Sequence, residues 1–100
     1  MKLNVLSDVD DFINKLSDKE SGKILAQLEF LKISQTEALI IKSLKGKIRE
    51  LRIRQYRIVF FKIGTIIYVV DAFKKQSQKT PQGIIKKAEK IYKNIEKRNE

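Results

Sequence analysis

Cysteine and histidine are both absent from this 100-residue sequence. Without cysteine, the chain can form neither disulfides nor thiolate metal sites. Without histidine, it lacks the commonest metal ligand and the commonest acid/base group at neutral pH. The acidic residues are scattered without the spacing of metal ligands, and no glycine-rich phosphate loop occurs. We therefore expect no metal site and no cofactor, and any proton transfer must use a group other than histidine.

Long hydrophobic runs are missing as well, so nothing in the sequence predicts a membrane span or a membrane partner. The first residues are polar and acidic, which is unlike a secretory signal. Hydrophobic residues make up 42% of the chain, a typical share for a folded protein. These features predict one cytoplasmic domain over residues 1–100, long enough to bury one core.

Positive charge is abundant and unevenly spread. The net charge is +10, but residues 1–40 carry five lysines against seven acids, whereas residues 41–100 carry seventeen lysines and arginines against five acids. Four of the five arginines lie between positions 49 and 57. The guanidinium group matches phosphate geometry with two parallel hydrogen bonds. The second part of the chain therefore predicts contact with an anionic partner, most often nucleic acid.

Helical spacing of apolar residues predicts two helices at the N-terminal end. The first runs from Asp8 to Leu16 and the second from Lys19 to about Ser34. Ser7 or Asp8 could cap the first helix, and Asp18 could cap the second. The short polar connection between them predicts an antiparallel helical hairpin. Whether residues 2–6 form an edge strand is left open by the sequence.

From residue 39 the apolar pattern changes to that of strands. Gly46 and Gly64 predict tight turns. The predicted strands span residues 39–44, 48–55, 56–62 and 65–73, and the last is the most hydrophobic. In the second, Leu51 and Ile53 alternate with a charged face of Glu50, Arg52 and Arg54.

The last part of the chain predicts an irregular basic stretch followed by a helix. Residues 74–80 are polar, and Thr80 and Pro81 suggest a helix cap and a first helical residue. The resulting architecture is an α+β fold. A helical hairpin packs on a small, mostly antiparallel sheet of three to four strands, a C-terminal helix follows, and the helices cover one side of the sheet.

Three stretches in this order resemble the RelE/HigB-like toxins of the RelE/ParE superfamily, and most closely their phage-derived subgroup. They are residues 42–52 (KSLKGKIRELR), 56–58 (YRI) and 71–81 (DAFKKQSQKTP). The upstream pair Asp11-Phe12, before the second helix, is also similar. The resemblance covers roughly residues 8–95. It implies a RelE-like fold and the toxin half of a type II toxin–antitoxin pair.

The resemblance further implies an endoribonuclease that cleaves mRNA on the translating ribosome and is silenced by an antitoxin, often a helix-turn-helix protein. In such enzymes without a metal, the ribose 2′-OH attacks the adjacent phosphate. Arg52 and Arg57 match the arginine positions of the family and would stabilise the transition state. Lys75 is the candidate for proton transfer, with Glu50 and Lys47 as alternatives. The remaining candidate RNA-binding residues are Lys45, Lys47, Arg49, Arg54, Phe73, Lys74 and Lys79.

The same residues also have plain structural interpretations. Glu50 and Arg52 could form a surface pair across the sheet, and Arg57 could cover the sheet edge. Alternation places Tyr56 among apolar residues, where it serves as core rather than as a base-stacking platform. Phe73, at the end of the last strand, is likewise better explained as a packing residue than as an RNA contact.

Two departures from the family pattern keep other functions open. Relatives often carry a histidine where this chain has Asp71 and a lysine where it has Gln76. Asp71 could orient a lysine or simply cap a turn. One alternative is a protein of the same fold without nuclease activity, either a gyrase poison or a decayed toxin. The other is a basic nucleic-acid-binding module that does not cleave.

Overall fold

The computed structural model describes residues 1–98, which form five strands and three helices. The strands are β1 (Lys2–Val5), β2 (Ile40–Lys45), β3 (Ile48–Ile53), β4 (Tyr56–Ile63) and β5 (Ile66–Lys74). The helices are α1 (Ser7–Asn14), α2 (Asp18–Lys32) and α3 (Gln82–Arg98). No helix within this range is long and apolar enough to cross a membrane.

The strands form one sheet in the order β1-β5-β4-β3-β2. Strands β2 to β5 are antiparallel neighbours joined by short turns, which confirms the predicted mostly antiparallel sheet. The prediction of three to four strands was one too low, because β1 pairs with β5 in parallel. β1 has only four residues, too few for a clear alternating pattern. It is held by its pairing with β5, and directly after it the Leu6 N–H donates to the Val69 carbonyl (3.0 Å).

The helices cover both sides of the sheet, so the prediction that they share one side was wrong. The helical hairpin of α1 and α2 packs against Leu51, Ile58 and Phe60. α3 packs against Val59, Phe61 and their neighbours, which alternate with the first set along β4. Strands β4 and β5 have apolar residues on both faces, and each face needs its own cover.

Each hairpin between β2 and β5 turns through two residues, of which the first has a positive φ. Two of these are Gly46 (φ 55°) and Gly64 (φ 62°), as predicted from the sequence. The third is Arg54 (φ 56°), so β3 ends at Ile53 and not at Gln55. A side chain in the left-handed region costs about 1 kcal/mol, and arginine gives no turn signal in the sequence. Arg54 therefore lies in a turn and not on the charged face of β3.

The helix caps differ from those predicted. α1 begins after Leu6 without a side-chain cap, so neither Ser7 nor Asp8 serves as one. α2 begins at Asp18, and the hydroxyl of Ser17 accepts the Glu20 N–H at 3.2 Å. Ser17 thus supplies the cap predicted for Asp18, one residue earlier.

Candidate functional site

Three strands bring the predicted arginines together. In the sheet register, Arg52 on β3 lies opposite Arg57 on β4, and Arg57 lies opposite Phe73 on β5. Glu50 precedes Arg52 by two residues and therefore points to the same side of the sheet. This is the side that α3 covers, since Phe73 packs with the α3 cluster. The site lies where β3 meets the Arg54–Gln55 turn.

The carboxylate of Glu50 is the centre of the site, with only 1% of the residue exposed. Its Oε2 accepts a hydrogen bond from Arg52 Nε at 3.1 Å and lies 3.9 Å from Arg57 Nε. Its Oε1 accepts a hydrogen bond from the hydroxyl of Thr80. A buried carboxylate is stable only with such partners. With both oxygens engaged, Glu50 is placed to orient the arginines.

Arg57 is the more firmly anchored of the two arginines. Its Nη1 donates to the carbonyls of Arg54 (2.7 Å) and Tyr56 (2.9 Å). The Arg57 side chain is 10% exposed, whereas that of Arg52 is 32% exposed. The carbonyls of Arg54 and Tyr56, together with Glu50, hold the guanidinium group of Arg57 in place. The neighbouring Arg52 is partly exposed to solvent. Two adjacent guanidinium groups held in this way can bind an oxyanion such as a phosphate.

The lysines at the end of β5 and in the loop after it are all exposed. The Lys75 N–H donates to the Gln55 carbonyl at 2.6 Å, which places residue 75 beside the β3–β4 turn. Lys75 and Lys79 are both exposed. Lys74 pairs in register with Tyr56, whose side chain packs in the cluster under α1 and α2. Lys74 therefore points to the side opposite the arginine pair.

Three predicted RNA-binding residues lie away from the arginine pair. Lys45 forms an ion pair with Glu89 of α3 (3.2 Å). Lys47 occupies the β2–β3 turn, five residues or roughly 17 Å along the strand from Arg52. Arg49 pairs in register with Phe60, so it is on the α1/α2 side of the sheet, where it is exposed. The cations that cluster in the sequence are thus divided between two faces.

Two residues near the site were not among the predicted site residues. Thr80, interpreted as a helix cap, instead donates to Glu50, and α3 begins at Gln82 and not at Pro81. Lys42 is exposed and lies opposite Glu50 on β2. Neither position can be inferred from local pattern, because the first requires the path of the loop and the second the register between two strands.

Phe73 and Asp71 have structural contacts. Phe73 is half-buried against the α3 cluster, which supports its interpretation as a packing residue. The Asp71 carboxylate accepts the Ala72 N–H (2.8 Å) and lies 3.5 Å from Lys87 Nζ. Asp71 thus pairs with a lysine of α3. Within residues 1–98, no three acidic side chains come together as a group that could hold a metal ion.

A second group of cations flanks the β3–β4 turn on the side of α2. Lys19, Lys23 and Arg54 line one cavity together with Tyr56. Desolvation, followed by the charges of Arg54 and Lys19, lowers the pKa of Lys23 below its usual value. The carboxylate of Glu20, which lines the same cavity, opposes part of this effect on the pKa of Lys23.

Tyr56 is part of the core, as the alternation predicted. It is 6% exposed and packs edge-on against Phe12, with ring centroids 6.0 Å apart. Its hydroxyl donates to the carboxylate of Glu20. That hydrogen bond, more than the nearby lysines, holds the pKa of Glu20 below its usual value, and it raises the pKa of Tyr56.

We expect Tyr56→Phe to destabilise the protein more at neutral pH than in acid. A lowered pKa of Glu20 stabilises the fold above the unfolded pKa of about 4.3, and this stabilisation is lost as the pH falls through the folded value. Urea unfolding of both proteins between pH 7 and pH 3 measures the difference. A Tyr56→Phe effect that stays constant over this range would contradict the Glu20 contact.

Comparison with known proteins supports the resemblance found in the sequence. Residues 11–93 match the family described as "Phage derived protein Gp49-like (DUF891)". No curated protein sequence matches the chain significantly.

Among the solved structures that share the fold are two complexes of RelE with RelB. One is the archaeal RelE–RelB complex from Pyrococcus horikoshii OT3, with a TM-score of 0.66 and 14% identity, covering 78% of this chain and 97% of that chain. The other is the RelB–RelE antitoxin–toxin complex from Methanococcus jannaschii, with a TM-score of 0.61 and 17% identity, covering 71% of this chain and 88% of that chain. The predicted RelE-like fold is thereby confirmed. With 83 of its 100 residues inside the matched range, the chain belongs to the phage-derived Gp49-like family.

Proposed function

We propose that this protein is the toxin of a type II toxin–antitoxin pair and that it cleaves mRNA on the translating ribosome. Family membership and the likeness to RelE chains solved with RelB support the toxin assignment. One observation carries the nuclease assignment. Arg52 and Arg57 lie side by side and are both oriented by the buried carboxylate of Glu50.

This arrangement suits attack of a ribose 2′-OH on the adjacent phosphate. The reaction gathers negative charge on the phosphate oxygens, and each well-placed donor lowers the barrier by roughly 3 kcal/mol. Arg52 and Arg57 supply these donors. Their orientation is set before substrate binds, so little reorganisation is needed during the reaction.

Proton transfer has to proceed without histidine. We assign to Lys75 the donation of a proton to the leaving 5′ oxygen, because an ordinary lysine is protonated at neutral pH. In this assignment Glu50 accepts the 2′-hydroxyl proton, so the proton lost by the attacking group and the proton gained by the leaving 5′ oxygen are both accounted for. The ribosome supplies further order by holding the message in place.

RNA binding extends beyond the reacting phosphate. Arg54 at the turn and Lys79 near the start of α3 lie in segments that border the site, and Phe73 lies opposite Arg57 on β5. Lys74 points to the other side of the sheet and would contact only RNA or ribosome on that side. Lys45, Lys47 and Arg49 would contact only RNA or ribosome that reaches past the far end of β3. An antitoxin of helix-turn-helix type would silence the protein by covering the arginine pair.

Two other functions are the alternatives to this proposal, one suggested by two residues and the other by the net charge. Asp71 and Gln76 stand where relatives often have histidine and lysine, which favours a gyrase poison or a decayed toxin that no longer cleaves RNA. The large positive charge by itself favours a nucleic-acid-binding module. Such a module would show binding that weakens steeply with salt, without cleavage.

Induced expression in a bacterial host separates these functions. We expect growth to stop and primer extension to show cuts within codons of a translated message but not of the same message without a start codon. Growth arrest without cuts would favour the gyrase poison. Normal growth with folded, soluble protein would exclude the nuclease assignment for this chain.

A further inference from the structure

The segment of residues 75–80 joins β5 to α3 and carries Lys75 and Lys79; we call it the basic segment. All side chains from 75 to 79 are exposed. Its first residue is anchored through the backbone, by the Lys75 N–H on the Gln55 carbonyl. The Ser77 hydroxyl bonds only within the segment, to the Lys79 carbonyl at 2.9 Å. Within residues 1–98, the hydrogen bond from Thr80 to Glu50 is the only side-chain bond between this segment and the sheet.

The hydroxyl of Thr80 is not used by the helix that follows it. A threonine before a helix ordinarily accepts a backbone N–H of the first turn. Here the carbonyl of Pro81 accepts the N–H groups of Ile84 (3.1 Å) and Ile85 (3.4 Å), and the Thr80 hydroxyl donates to Glu50 Oε1. The hydroxyl therefore serves the contact with the sheet.

We propose that Thr80 is a positioning residue that fastens the basic segment to the arginine pair through Glu50. This inference rests on the proposed nuclease function and deepens it. One buried carboxylate binds Arg52 with one oxygen and Thr80 with the other. It thus sets the place of the arginines on the sheet and of the lysines on the segment together. Lys75 and Lys79, whose side chains form no hydrogen bond or ion pair within residues 1–98, thereby gain a defined position relative to the arginine pair.

Thr80→Val removes the hydroxyl and keeps the shape of the side chain, while Thr80→Ser keeps the hydroxyl. We expect Thr80→Val to lower the rate of mRNA cleavage at saturating message by roughly tenfold to a hundredfold, with little change in the concentration needed for half-saturation. Thr80→Ser should cleave within a fewfold of wild type. A general loss of packing would not be rescued by serine, which lacks the methyl group.

Limited trypsin digestion tests the contact without relying on activity. Cleavage of a briefly opened segment follows its opening equilibrium. Loss of a hydrogen bond to a charged group should speed cleavage after Lys75 and Lys79 roughly tenfold to a hundredfold in Thr80→Val. Cleavage after Lys47, in the distant β2–β3 turn, should stay as in wild type and serves as the internal control.

Equal trypsin sensitivity of wild type and Thr80→Val at the basic segment would overturn the proposal, and so would a Thr80→Ser protein that behaves like Thr80→Val. If wild type itself fails to cleave mRNA, the proposed function is lost. The trypsin comparison then still decides whether Thr80 fastens the segment.

Discussion

We expect the double variant Arg52→Ala/Arg57→Ala to cleave a translated mRNA about 10⁴-fold more slowly than the wild-type chain. Each donor to the transition-state charge is worth about a hundredfold to a thousandfold in rate. Arg52 and Arg57 face one site and share the carboxylate of Glu50, so their effects need not multiply fully. Growth inhibition by the induced protein should disappear together with cleavage.

The matched control is Lys47→Ala/Arg49→Ala, which also removes two positive charges but at positions away from the arginine pair. Lys47 lies at the far end of β3 and Arg49 on the opposite side of the sheet. We expect this control to lose less than about tenfold in rate, through weaker binding to RNA. Circular dichroism and urea unfolding check that both proteins are folded, because removing both arginines leaves the buried carboxylate of Glu50 without a cation. Equal losses in the two double variants would show that total charge, and not the arginine pair, carries the activity.

We expect Glu50→Gln to lower the free energy of unfolding by about 3 kcal/mol, because removing one member of a buried ion pair leaves the other without compensation. The affected partner is Arg57, whose side chain is 10% exposed and 3.9 Å from the carboxylate. Arg52 is 32% exposed and keeps part of its hydration, so it adds little to the loss. Urea unfolding at pH 7 measures the change.

Glu29→Gln is the control for this prediction, because Glu29 is exposed on α2. The same chemical change there should alter the free energy of unfolding by less than about 0.5 kcal/mol. A Glu50→Gln protein as stable as this control would contradict the buried arrangement of the site.

The sequence predicted the type of nearly every element, because apolar spacing follows burial on one face of a helix or strand. It did not predict β1, which depends on hydrogen bonds from β5 more than on its own four residues. It also missed the turn at Arg54, since only glycine, asparagine and aspartate commonly signal a positive φ. The prediction also placed all helices on one side of the sheet. It overlooked that β4 has apolar residues on both faces, each of which has to be covered by a helix.

The candidate site was predicted in part. The spacing of Glu50 and Arg52 places both on one face of a strand, and the structure bears this out. Because Arg49 is one residue from Glu50, the same alternation places Arg49 on the opposite face of β3. The prediction nevertheless included Arg49 among the RNA-binding residues because of its charge. The meeting of Arg57 with Arg52 depends on the turn between them, and the contact of Thr80 with Glu50 spans thirty residues. Contacts of that range leave no local pattern.

The most direct test of the nuclease assignment is a cell-free translation reaction with purified protein and an end-labelled mRNA. We expect cleavage only when ribosomes translate the message, with a 2′,3′-cyclic phosphate on the upstream fragment, and no cleavage at a position where a 2′-deoxynucleotide is placed. Wild-type protein that is folded and leaves the translated message intact would contradict it. So would cutting that continues at the 2′-deoxy position.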